Sequence, residues 1–464
     1  MYAGKSRFQD MFISRREIIR LGGLTATGYS FLPLLAPFKV SASGRNRPRG
    51  SARFCIFVML AGGPSHVDGW DLKEGPWTPD DFDVRTLSNG IKWPTSLYPG
   101  LAKRLDKVAL LRSFQSWESQ HGRGQYYCQA AHPLNPALTP EIPPVGAVVA
   151  SELQKKRKQT DSLPPYIAFN TLYNLAGLLG PGFLPATYAP FHINTEVDLS
   201  AFAPPTSEHG TFQRRWQLLK QFDSQLRTDP VLEKKAYRDF HNYYEGAVEL
   251  MSDRRNAEIF HLEKEERKRY GSSVTGDAFL LARNLVRSDA GTHFIFLSQE
   301  DWDHHVNIFR DRKKHYQMSW DLDTGLCSLI DDLATTTRPN GGSLLDETLV
   351  VAMGEFGRTP GALSDLNGRD HYPYASTILF AGGGVQGDRI LGKTDETGSN
   401  IIDTGWTAGR PVYMEDVATT IYSAMGIDWQ TKIETTPSGR AFYYVEPLSP
   451  VGVIANREIT DLFT

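Results

Sequence analysis

Four short, uninterrupted apolar runs, each closed by glycine or acidic residues, set the frame for this chain. Residues 53–60 stop at Ala61-Gly62-Gly63-Pro64, 292–297 at Ser298-Gln299-Glu300-Asp301, 348–353 at Gly354-Glu355, and 376–380 at Ala381-Gly382-Gly383-Gly384. A strand with solvent on one side alternates polar with apolar residues. A run that is apolar throughout has both faces covered, as in a parallel sheet between helix layers. Helical patterns lie between the runs, over residues 143–155, 212–227, 231–270, 278–288, 309–336 and 413–425. Strands alternating with helices predict an α/β fold with a largely parallel central sheet flanked by helices on both faces. The charged stretch 220–268 reads as a solvated helical pair over that sheet, scaffold rather than site.

Of the 464 residues, 40% are hydrophobic and 22% charged, enough for a sizeable core and incompatible with wholesale disorder. No apolar run of about 18 residues occurs beyond the N-terminal segment, which excludes a polytopic membrane protein. The formal net charge is -3, with Lys and Arg scattered among carboxylates, so a nucleic-acid partner is not expected. Cys55, Cys128 and Cys327 are too few and too widely spaced for a disulfide framework or a zinc knuckle, and read as packed thiols.

At the N-terminus, Ser14-Arg15-Arg16-Glu17-Ile18-Ile19-Arg20 precedes a weakly apolar segment ending near Phe38, and Val40-Ser41-Ala42 supplies small residues for cleavage. That order resembles a twin-arginine export signal. It predicts removal of residues 1–42 and export through the twin-arginine translocase to the periplasm or cell exterior. A single domain is expected over 43–464, with no transmembrane span. Proteins on that route typically cross folded, which favours a metal loaded beforehand.

In an open parallel sheet, ligands gather outside the carboxyl ends of the strands. Past those ends stand Ser65-His66-Val67-Asp68, then Asp301-Trp302-Asp303-His304-His305, then Glu355-Phe356-Gly357-Arg358, and then Gly368-Arg369-Asp370-His371. Carboxylates and imidazoles are the ligands that zinc, manganese and similar ions take, so a metal site is expected on these loops. Trp70 and Trp302 read as packing residues.

The runs GGPSHVDGWD, DWDHH with the following Asn307, GEFGRTP and GRDHYP, with the glycine-rich stretch from Gly382 to Gly398, resemble a bacterial family catalogued as domain of unknown function 1501. The resemblance covers nearly the whole chain beyond the export segment, and implies an alkaline phosphatase-like and sulfatase-like fold. It implies one or two divalent ions, drawn from zinc, calcium, magnesium and manganese. The matching ligand positions are Asp68, then Asp303 and His305, then Asp370 and His371. Such ions polarise an ester oxygen and activate an attacking hydroxyl. Arg358 and Arg369 are expected either to clamp a tetrahedral anion or to tie loops to carboxylates.

Two departures from that pattern stand out. The superfamily's nucleophile opens a helix after the second strand, here expected over 107–111, and the segment that follows offers Ser116 and Ser119. No cysteine has the Cys-x-Pro-x-Arg setting that formylglycine requires. A late metal-binding histidine is also missing, since His371 is the last histidine. His66 or His121 from the other side of the cleft, or Glu355, is the expected substitute; otherwise one ion binds. The resemblance implies a cell-envelope, metal-dependent hydrolase of phosphate or sulfate esters acting on a small-molecule or saccharide ester. The alternative is a non-catalytic member that binds an anionic or saccharide ligand or a partner protein.

Overall fold

Every residue of β1 (Phe54–Leu60) is buried, as a strand with helices on both sides requires. The structure is a computed structural model and describes residues 47–464 apart from 172–175, 197–198, 200–208, 227–247, 249, 251–253, 313, 340, 450–451 and 454–455. The export signal expected over 1–42 lies outside the described residues, as does much of the helix expected over 231–270. The other strands of the main sheet are β2 (Val108–Phe114), β3 (Tyr166–Phe169), β4 (Phe191–Ile193), β5 (Phe294–Gln299), β6 (Thr348–Met353), β7 (Ser376–Ala381) and β8 (Arg389–Leu391). They lie in the order β8-β2-β7-β6-β1-β5-β3-β4. The helices are α1 (His121–Ala130), α2 (Val145–Leu153), α3 (His209–Leu226), α4 (Arg254–Ile259), α5 (Lys264–Arg269), α6 (Val274–Ser288), α7 (His315–Thr335) and α8 (Met414–Ala424).

Successive side chains of a strand point to opposite faces, and β1 divides the core accordingly. Phe54, Ile56, Val58 and Leu60 pack into one layer with Phe279 and Leu280 of α6 and Leu322 and Leu326 of α7. Cys55, Phe57 and Met59 pack into the other with Val148 and Val149 of α2 and Val417 and Ile421 of α8. Each such side chain contributes roughly 1.5–3 kcal/mol through burial. The three cysteines are buried and free. No helix among the described residues is long and apolar enough to cross a membrane.

The sheet pairings are parallel except those of β7, which runs antiparallel to both β2 and β6. This corrects the parallel direction expected for the run at 376–380, because a strand buried on both faces reads the same whichever way it runs. The reversal matters for the site. The GRDHYP segment enters β7 at the sheet end where β1, β5 and β6 finish. Gly382-Gly383-Gly384 falls at the opposite end, where Gly383 N–H donates to Leu345 just before β6 at 2.8 Å.

Two helix boundaries also differ from expectation. α7 starts at His315 rather than residue 309, because Arg312 and Lys314 hold φ of 51° and 53°, a left-handed backbone that a right-handed helix does not pass through. The helix expected over 231–270 is interrupted in its described part. Phe260 to Glu263 separate α4 from α5, and the Glu263 carboxylate caps α5 by accepting from the N–H groups of Glu265 and Glu266.

Candidate metal centre

The loop after β5 is pinned so that alternate side chains face opposite ways. Buried Trp302 donates its backbone N–H to Ala61 O at 3.1 Å and its indole N–H to Gln299 Oε1 at 3.2 Å. With Trp302 and His304 buried, Asp303 and His305 turn toward the open end of the sheet. Two glycines let other loops lie against this one. At Gly62 (φ 110°) a Cβ would stand 2.5 Å from Asp303 N, and at Gly368 it would stand 2.0 Å from the His305 carbonyl carbon.

His121, the first residue of α1, joins Asp303, His305 and His371 in one group whose ligand atoms all lie within 4.8 Å of one another. Asp303 Oδ1 is its hub, 3.1 Å from His121 Nε2, 2.9 Å from His305 Nε2 and 3.7 Å from His371 Nε2. Each ring is held from behind through Nδ1. His121 Nδ1 meets Glu355 at 2.7 Å, His305 Nδ1 meets Asp370 at 2.9 Å, and His371 Nδ1 meets the Ser119 carbonyl at 2.7 Å. Carboxylates and carbonyls only accept, so the Nδ1 atoms carry the hydrogens and a neutral ring keeps a lone pair on Nε2. With all three rings neutral, three lone pairs and a carboxylate oxygen converge. His121 Nε2, though close to Asp303, is buried and makes no hydrogen bond of acceptable geometry.

The electrostatics follow from these contacts. Burial alone would lower the His121 pKa, but the neighbouring carboxylates of Asp303 and Glu355 outweigh it and raise the group to about 9. Burial would raise Asp303, yet His121, His371 and Arg358 hold its carboxyl well below the usual range. A site with this donor set fits a cation: imidazole nitrogen and carboxylate oxygen are zinc-type ligands, and hydrogen-bonded backing of each imidazole is the usual outer arrangement. Its open side, with Asp303 exposed and the three rings partly so, leaves room for a further ligand.

Other expected site residues take supporting positions. Glu355 is fully buried behind His121, where it accepts from Gly62 N–H at 3.0 and 3.2 Å and from Gln125 Nε2 at 3.3 Å. Asp370 is an exposed prop for His305. Asp68 lies outside the group of four. Its oxygens receive Arg369 Nε at 2.5 Å, Arg369 Nη2 at 2.9 Å and Ser65 Oγ at 2.6 Å. His66 is buried with Nε2 on Gly398 O at 2.9 Å, tying down the Thr394–Asn400 turn instead.

Both arginines are buried and hold loops. Arg358 donates to Gly63 O at 2.8 Å, Arg369 O at 3.0 Å, Gly62 O and Asp303 Oδ1 at 2.6 Å. Arg369 donates to Thr359 O at 2.7 Å and Gly361 O at 2.8 Å besides Asp68. Of the two readings open to them, these contacts are those of loop ties. Ser116 is spent in a turn, its Oγ accepting from Glu118 N–H at 3.2 Å. Ser119 is exposed beside His371, which its carbonyl supports. That carbonyl and Gln125 were missed in the sequence, because a backbone acceptor or an amide inside a helix leaves no pattern there.

Among solved structures, the chain is similar to a protein of the alkaline phosphatase superfamily from Vibrio parahaemolyticus, with 10% identity, 82% of this chain and 69% of that chain covered, and a TM-score of 0.37. Ps i-CgsB, solved with k-i-k-neocarrahexaose, gives 11% identity over 82% of this chain and 72% of that chain, with a TM-score of 0.37. Phosphonate monoester hydrolase SpPMH from Silicibacter pomeroyi gives 11% identity over 81% and 73%, also with a TM-score of 0.37. No curated protein matches the sequence. A family model does match, over residues 52–451, and the chain belongs to that family, described as protein of unknown function (DUF1501).

Proposed function

We propose that this chain is a metal-dependent hydrolase of phosphate or sulfate esters that reaches the cell envelope by the twin-arginine route. One observation carries the catalytic part: three Nε2 atoms, each fixed through its own Nδ1, converge on Asp303 Oδ1. His121, Asp303, His305 and His371 are the proposed ligands of a single ion. Three imidazoles favour zinc or a similar ion over calcium and magnesium, which prefer oxygen donors. Bound there, the ion would polarise an ester oxygen and lower the pKa of an attacking hydroxyl. Glu355 and Asp370 keep the rings aimed, and Arg358 and Arg369 hold the loops that carry the ligands. The attacking hydroxyl is assigned to Ser119, with water as the alternative that Ser119→Ala separates. The export route is supported by the Arg15-Arg16 pair and its flanks.

A second reading is favoured by one feature. With both arginines engaged in loop contacts, no unpaired guanidinium is seen at the group of four among the described residues to neutralise an anionic ester, so the centre could hold such a ligand without cleaving it. Element analysis of the purified chain and turnover of aryl phosphate and aryl sulfate panels test the choice. We expect one ion per chain, and turnover that disappears in Asp303→Asn and His371→Ala. Metal-replete protein that leaves every ester intact would overturn the hydrolase in favour of the binding protein.

A further inference from the structure

A cleft of about 450 Å³ opens at the carboxyl ends of β3, β4 and β5, within the size range of small-ligand sites. Asn170 follows β3, Asn194 follows β4, and Ser298 to Asp301 finish β5 and run past it. Asp301 borders this cleft and Asp303 belongs to the group of four, so the two Cα atoms are no more than about 7 Å apart. The cleft and the proposed metal centre therefore draw on the same loop after β5.

Its wall is set by unusual backbone. Asn170, Ser272 and Asp301 have φ of 57°, 50° and 71°, and all three border the cleft. Left-handed conformations are uncommon outside glycine and gather at ligand sites. The Asn170 conformation is braced. Its Oδ1 accepts from Thr195 N–H at 2.9 Å and Thr195 Oγ1 at 3.1 Å, and its Nδ2 donates to Val274 O at 3.2 Å.

The chemistry of the lining narrows the occupant. Glu196, Glu300, Asp301 and Asp321 border the space, and Arg267 is already matched by Asp277 through two bonds of 2.7 Å. An anion is disfavoured there. Val274 and Met318 are the apolar side chains among the described lining residues, so an oily ligand is disfavoured too. Carboxylates spaced around the cleft suit a ligand with many hydroxyl groups, which can donate to several of them at once.

We propose that this cleft seats the uncharged carbohydrate part of a saccharide ester, with the anionic ester group at the proposed metal centre. The substrate class rests on the hydrolase reading above. The test uses the full, metal-replete chain on an array of ester-free neutral oligosaccharides, amine-bearing oligosaccharides and ester-bearing ones. Neutral sugars should be retained. Glu300→Gln with Asp301→Asn should weaken retention by about tenfold, and Val274→Trp should weaken it by obstructing the mouth. Thermal midpoints of the variants identify any that fail to fold. No retained sugar, retention of amine-bearing sugars alone, or retention that ignores all three substitutions would overturn the assignment. Ester-free sugars need nothing from the group of four, so the two proposals fail separately. Ester turnover without sugar binding would remove this one, and sugar binding without turnover of any ester would remove the hydrolase.

Discussion

His305 Nε2 and His371 Nε2 lie 3.0 Å apart while the Nδ1 atom of each ring is already bonded, to Asp370 at 2.9 Å and to the Ser119 carbonyl at 2.7 Å. Two neutral imidazoles arranged this way turn lone pairs toward each other. A cation bound between them would relieve that repulsion.

Metal should therefore stabilise the fold measurably. Removal by chelation is expected to lower the thermal midpoint, and zinc to restore it. At free metal about a thousand times Kd the gain is about 4 kcal/mol. The restored increment should vanish in His371→Ala. A midpoint indifferent to both chelator and zinc would show that the four side chains meet for another reason.

Asp370 and Glu355 support different rings from different environments, and their substitutions should separate affinity from stability. Asp370→Asn removes an exposed prop from His305, so metal affinity should fall by roughly 10–100-fold, while stability moves by less than about 0.5 kcal/mol. Glu355→Ala leaves Gly62 N–H and His121 Nδ1 without a buried acceptor and should cost at least about 1–3 kcal/mol as well as affinity. Calorimetric metal titration beside urea unfolding reads both quantities.

How much of this could be read beforehand depended on whether a feature is local. The runs at 53–60, 292–297 and 348–353 became buried parallel strands because burial on both faces leaves its mark on every residue. The run at 376–380 carried the same mark and ran the other way, since direction is decided by where the chain returns. Asp303, His305 and His371 were legible as strand-end candidates, and the structure brings them into one group. His121 was legible only as one of three substitutes, beside His66 and Glu355, because nothing near it in sequence shows that α1 begins at the rim. Asp68 and Arg369 each looked like site residues, and their mutual ion pair spans a separation that a single sequence does not reveal.

That pair gives the next expectation. Asp68 and Arg369 are almost completely buried, so Arg369→Met strands a carboxylate without its partner and should cost about 3–5 kcal/mol. The double variant with Asp68→Asn should recover much of the loss, because the uncompensated charge is gone. An anion clamp would behave differently, losing ester turnover with little change in unfolding. Urea denaturation of the two single variants and the double variant, followed by metal content, tells these apart.

The final prediction concerns pH. In the metal-free chain, His121 is raised from 6.5 to about 9, since the carboxylates of Asp303 and Glu355 beside it outweigh the opposing effect of burial. The folded state then binds a proton more tightly than the unfolded chain does. Its stabilisation is complete below about pH 6.5 and fades as pH rises through about 9. Glu300 and Glu415, both raised to about 7 chiefly by burial, add a decline of the same sign that is largely finished by about pH 8. The slope above that point is shared between His121 and the thiols of Cys55, Cys128 and Cys327, which burial pushes up, so it should become shallower in His121→Gln. Metal uptake expels the same proton, so affinity should climb with pH over this range and level off above about 9. Urea midpoints of the chelated chain that rise toward pH 9, or a His121→Gln profile that keeps the wild-type slope, would place the proton elsewhere.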